Sequence, residues 1–93
     1  MLSTEEIRKS MRITHTHLDE EIKRNINTAL RDLRRVGINT EDNDLIDKAC
    51  ELYVKAQLDY QGKGYQFQKN YEALRDAISL SGVFREESGR YHV

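Results

Sequence analysis

The chain has 93 residues, with 15 Lys and Arg against 16 Asp and Glu and a formal net charge of −1. That length points to one small domain with a thin core, for which any oligomeric contact adds stability by mass action. The balance of charge excludes a global basic field for holding nucleic acid.

There is no proline, and Cys50 is the only cysteine. An internal disulfide is therefore impossible, and no Cys/His zinc pattern occurs. A reducing compartment suits such a chain. No apolar run approaches the roughly 18 residues needed to span a membrane, and the N-terminus lacks the charged-then-apolar pattern of a signal. Charged residues make up 33% and hydrophobic ones 38%, but the hydrophobic ones recur with a helical period, which argues for order.

The first helix is predicted over residues 3–12. Ser3-Thr4-Glu5-Glu6 reads as a capping box, and Leu2 and Ile7 fall at hydrophobic-staple positions. The second is predicted over 17–36, with Leu18, Ile22, Ile26, Ala29, Leu30, Leu33 and Val36 on one face. Thr16 is its expected N-cap. Acids open it (Asp19, Glu20, Glu21) and arginines close it (Arg31, Arg34, Arg35), as the helix dipole favours, and Gly37 follows as its C′ residue. The third is predicted over 44–60, with a stripe of Leu45, Ala49, Leu52, Tyr53, Ala56 and Tyr60, flanked by Ile46 and Cys50. Gly62-Lys63-Gly64 breaks it. The fourth is predicted over 65–80, with Phe67, Tyr71, Leu74 and Ile78 on one face. The fold expected is all-α, a small bundle of about four helices over residues 1–82. Residues 83–93 have no apolar period and are expected to form a flexible tail.

His15 and His17 sit one residue apart just before Asp19-Glu20-Glu21. In an extended segment they point the same way and could share a metal, but a third ligand is needed and no HExxH or second HxH exists. The reading preferred is a polar entrance to the second helix, with no metal and no cofactor. The fragment Gly62-Lys63-Gly64 lacks the rest of a phosphate loop and lies between two helices. Tyr53, Tyr60, Tyr65, Phe67 and Tyr71 surround the third interhelical turn at spacings that favour core packing over base stacking. Arg31, Arg34 and Arg35, with Lys23 and Arg24 upstream, form a basic patch that suits phosphates, an acidic partner or plain solvation. The second and third helices could be read as a helix-turn-helix, yet the third begins Asn43-Asp44-Leu45-Ile46-Asp47, which repels phosphate at the end where a recognition helix reads bases. Val83 and Phe84 form an apolar pair beyond the fourth helix, free to pack back or to anchor a partner. No nucleophile–base pair stands out, so no enzyme is expected.

The order of these segments is more specific. Met11-Arg12-Ile13 leads through a polar link to Asp19-Glu20-Glu21-Ile22. The long helix ends at Val36-Gly37-Ile38, and an acidic turn enters Leu45-Ile46-Asp47-Lys48-Ala49-Cys50-Glu51-Leu52-Tyr53-Val54-Lys55-Ala56. The last helix carries Tyr71-Glu72-Ala73-Leu74-Arg75. Over about residues 3–82 this resembles the small head–tail connector, or DNA-packaging, proteins of tailed bacteriophages and prophages. The resemblance implies a structural protein with no catalytic residues. About a dozen copies would form a ring under the portal at the capsid vertex, with DNA passing through unread. It further implies the portal and the next tail connector as partners, no membrane, assembly in the host cytoplasm and a final place at the virion head–tail junction. Within that reading, Asp44 and Asp47 of one subunit are expected to meet Arg31, Arg34 and Arg35 of the next. Val83, Phe84, Arg85 and Tyr91 are expected to dock on the portal or another partner. The competing reading is a small helical regulator that binds DNA or a host protein.

Overall fold

Residues 2–41 and 43–81 are described by a computed structural model. They form four α-helices, α1 (Thr4–Ser10), α2 (Asp19–Arg35), α3 (Asp44–Gln57) and α4 (Gly64–Ser81), with a short 3₁₀ turn at Tyr60–Gly62. The fold class is all-α, as the periodicity requires.

Local chemistry sets each boundary. Ser3 Oγ accepts from the Glu6 amide at 3.1 Å and Glu6 Oε1 accepts from the Ser3 amide at 2.9 Å, so the capping box is complete. The helix then stops at Ser10, short of residue 12. Arg12 turns left-handed (φ 58°), and the amides of Arg12 and Ile13 donate to the carbonyls of Lys9 and Arg8, both at 3.0 Å. This is a Schellman ending built without glycine.

α2 begins two residues later than expected, and Thr16 is not its side-chain cap. The Thr16 carbonyl instead accepts from the Asp19 amide at 3.1 Å, which closes a turn through His17 and Leu18. Two contacts hold the entrance there: Leu18 packs half-buried against the core, and Arg8 Nε binds Asp19 Oδ1 at 3.0 Å. At the other end Gly37 (φ 88°) is the C′ residue. Its amide reaches the Arg34 carbonyl at 2.9 Å, and the Ile38 amide reaches Leu33 at 3.0 Å. Leu33 and Ile38 are both fully buried, which supplies the apolar contact that accompanies this motif.

Asn43 Oδ1 caps α3 by accepting from the Leu45 amide at 2.8 Å. α3 ends at Gln57, not at residue 60, because Asp59 turns left-handed (φ 50°). The Asp59 carboxylate then accepts from the Gly64 amide at 2.7 Å. One residue thus closes α3 and caps α4.

The core lies along α3, which packs on both α2 and α4, while α1 lies on α2. α2 buries Ile22, Ile26, Ala29, Leu30 and Leu33, and α4 buries Tyr71 and Ile78, as their stripes foretell. α3 departs from its predicted stripe. Leu45 is 43% exposed, while Ile46, Cys50 and Val54 are buried. A helix held between two neighbours buries a wide arc, and here the arc is centred away from Leu45. Ile7 and Met11 of the first segment complete the core.

A left-handed residue with a Cβ costs about 1–2 kcal/mol, so Gly37→Ala should lose about that much in urea unfolding. Gly64→Ala should lose more, since its Cβ would stand 2.6 Å from Asp59 Oδ1 and 2.9 Å from the Ala56 carbonyl. Equal losses at the two sites would contradict the close approach at Gly64.

Candidate functional site

Two polar nodes fix how the helices face one another. In the first, Asp32 of α2 takes donors from two helices. Tyr71 Oη donates to Asp32 Oδ2 at 2.7 Å and Arg75 Nη1 at 3.0 Å, both from α4. Arg35 of α2 itself donates to Oδ1 through Nη2 at 2.6 Å. Tyr53 of α3 packs edge-on against the Tyr71 ring at 5.1 Å. Burial pushes the Asp32 carboxyl up, but the bonds from Tyr71, Arg35 and Arg75 and the Arg75 charge outweigh it, so its pKa lies below the ordinary value. The Tyr71 hydroxyl moves up, first by burial and then by its bond to Asp32.

In the second node, Glu51 of α3 accepts from Ser10 Oγ and from Lys55 Nζ, both at 2.8 Å. The Lys55 ammonium also lies over the Tyr60 and Phe67 rings at 5.3 and 5.8 Å. Burial raises the Glu51 carboxyl, yet the Lys55 and Ser10 bonds and the nearby lysine charges bring it below its usual value. The node joins the end of α1, the middle of α3 and the start of α4.

The residues expected at a subunit interface fall at one corner of the subunit, where α2 ends and α3 begins. Arg31, Arg34, Arg35 and Asp44 are exposed and Asp47 is half-buried. Several have internal partners. Arg35 holds Asp32, Arg34 Nε donates to Thr40 Oγ1 at 2.9 Å, and Asp47 Oδ1 accepts from the Leu2 amide at 3.1 Å. The residues expected to dock on a partner (Val83, Phe84, Arg85 and Tyr91) lie outside the described residues.

The remaining candidates fall into place around this frame. His15 and His17 are exposed, their rings 4.7 Å apart, and the His17 amide donates to His15 Nδ1 at 3.3 Å. Among the described residues no group of three His, Cys, Asp or Glu converges on a point, and no pocket is present. Cys50 is buried, and burial, with Asp47 adding and Arg34 opposing, lifts its thiol to about 12. A thiol so raised is not a nucleophile at neutral pH. The aromatics divide: Tyr53, Tyr60, Phe67 and Tyr71 pack into the bundle, while Tyr65 is exposed beside Lys69. No helix among the described residues is long and apolar enough to cross a membrane.

The sequence reading missed the Asp32 node. Its signal is readable afterwards: Asp32 is the lone acid between Ile22 and Val36, and Tyr71 and Arg75 stand four apart on one helix face.

Charge-assisted bonds of this kind contribute about 1.5–3 kcal/mol. Asp32→Asn should therefore lose about 2 kcal/mol near neutral pH, and Tyr71→Phe less. Because the Asp32 pKa is lowered on folding, its contribution is full above the ordinary carboxylate range and fades as pH falls through the folded value. The gap between wild type and Asp32→Asn should shrink from about pH 7 to about pH 3. A gap that stays constant in urea unfolding across that window would exclude the ionised pairing.

No curated protein and no solved structure matches the chain. The family model described as Phage connector protein matches residues 4–82, from the first residue of α1 to just past α4. The chain belongs to the phage connector protein family.

Proposed function

We propose that copies of this chain close into a ring of about a dozen at the portal vertex of a phage capsid, joining head to tail while DNA passes through the centre. Family membership over residues 4–82 is the observation that carries this reading. As a phage connector the protein is structural, and its partners are other proteins of the head and tail. The portal protein lies on one side of the ring and the next connector on the other, at the head–tail junction of the virion.

The exposed charges support such a closure. A ring needs a heterologous contact, in which one patch meets a different patch of the next copy. Asp44 presents an acid at the start of α3, and Arg34 and Arg35 present bases at the end of α2, all exposed. Because these charges share one corner, the contact joins the α3 side of one subunit's corner to the α2 side of its neighbour's. Arg31 lies one turn back, and Asp47 is engaged by Leu2. The segment 83–93, with Val83, Phe84, Arg85 and Tyr91, docks on the portal or the next connector.

Light scattering after size exclusion, at several protein concentrations and with and without portal, tests the ring. A closed species of about a dozen subunits, alone or on the portal, is the result expected. A chain that stays monomeric beside the portal, or a compact dimer, would overturn it. Arg34→Glu with Arg35→Glu should abolish closure, and unchanged assembly would remove the charge contact. Deleting residues 83–93 should abolish portal binding and leave the helical signal of the bundle intact.

A further inference from the structure

We propose that the outer face of α2 is the surface the ring turns toward DNA, with Lys23, Arg24 and Arg31 as its phosphate contacts. This rests on the ring reading above. The inference begins with rotation about the helix axis. At about 100° per residue, Arg24, Asn27 and Arg31 fall on the side of α2 opposite Ile22, Ile26, Ala29 and Leu33, with Lys23 at the edge of that side, next to the buried Leu30. Lys23, Arg24, Asn27 and Arg31 are exposed, and Ile22, Ile26, Ala29 and Leu33 are buried.

That face is net positive, with Glu20 at its start as its one acid. Between Lys23 and Arg35 the helix holds one acid, Asp32, and it is taken by Arg35, Tyr71 and Arg75. Elsewhere several cations are matched. Arg8 pairs with Asp19, Lys9 with Glu5, Lys55 with Glu51, Lys69 with Glu72 and Arg75 with Asp32. Lys23, Arg24 and Arg31 have no ion-pair partner among the described residues. Among the described residues Arg12, Lys48 and Lys63 lack an ion-pair partner too, each on a different segment, whereas Lys23, Arg24 and Arg31 share one helix.

The chemistry of the face selects the partner. A protein interface is organised around a buried apolar or aromatic anchor. The exposed positions here are Glu20, Lys23, Arg24, Asn27, Thr28 and Arg31, with no apolar residue among them. Duplex DNA requires no such anchor. Its phosphates present about one charge per 1.7 Å of axis, and lysine or arginine meets them without regard to sequence. The span from Lys23 to Arg31 is eight residues, about 12 Å of helix, enough to reach more than one phosphate of a passing strand. Three contacts per subunit are few, so each is weak and exchangeable, as a moving polymer demands.

The test places a photo-crosslinker on this face in DNA-filled heads that carry the protein. Asn27→p-benzoylphenylalanine reports on α2, and Asp76→p-benzoylphenylalanine, on the exposed side of α4, is the control. DNA adducts from position 27 and none from position 76 are the result expected. Protein adducts alone from position 27 would overturn the proposal and make the face a docking site for an acidic protein surface. DNA adducts from both positions, or from neither, would also overturn it. Either variant present in heads shows that it folds and assembles. Filled heads that lack even the wild-type protein would instead bring down the ring reading, and this proposal with it.

Discussion

The hydroxyl of Tyr71 lies inside the bundle, on a residue 1% exposed, and Asp32 is its acceptor at 2.7 Å. A buried phenol left without a partner costs about 1–3 kcal/mol, a large share of the margin of so small a domain. The bond therefore fixes the rotation of two helices at once. Turning Asp32 toward α4 sends Lys23, Arg24, Asn27 and Arg31 to the outside of α2. Turning Tyr71 and Ile78 inward sends Ala73, Ala77 and Leu80 to the outside of α4, where Leu80 is 84% exposed. The same carboxylate is shared between Arg35 of α2 and Arg75 of α4, so it offsets only part of the positive charge at the end of α2. Packing and surface electrostatics are thus settled by one interaction.

The helix ends determine how far this arrangement can flex. Gly37 and Asp59 reverse the chain at the two corners flanking α3, and each is tied: the Gly37 amide donates to Arg34, the Asp59 amide donates to Ala56, and the Asp59 carboxylate accepts from the Gly64 amide. The Ser10–Glu51–Lys55 chain of contacts pins the end of α1 to the middle of α3. A subunit braced at its corners presents its outer charges at fixed positions. Fixed positions are what a heterologous contact needs if its rotation is to close and not run on as a filament.

Much of this was readable from the chain. The α2 and α4 stripes, the Ser3 capping box and the Gly37 ending follow from spacing and residue type alone, because those helices bury one face each. α3 was harder, since a helix between two partners buries a wide arc and periodicity cannot say where the arc is centred; Leu45 and Val54 exchanged roles for that reason. The start of α2 was misplaced because Thr16 has the right chemistry for a cap, while the tertiary contacts of Leu18 and Asp19 decide the entry. Asp59 was read as helix interior, although its left-handed backbone and its bond to Gly64 end α3 there. The surface was legible as a basic patch, but its meaning depended on Asp32 being occupied, and that involves residues 39 and 43 positions away in sequence.

Under the proposed ring function, near-neutral net charge and a positive helix face are not in conflict. Phosphate affinity grows with the number of phosphates neutralised and falls steeply with salt. A uniformly basic lining repeated around a ring would sum to a trap. A lining of few bases leaves each contact weak and easy to exchange. The acids that open α2 (Glu20 and Glu21, both exposed) sit at one end of the same face and bound its length. The balance is therefore drawn along the helix as well as around it, and α2 carries both halves of it within 17 residues.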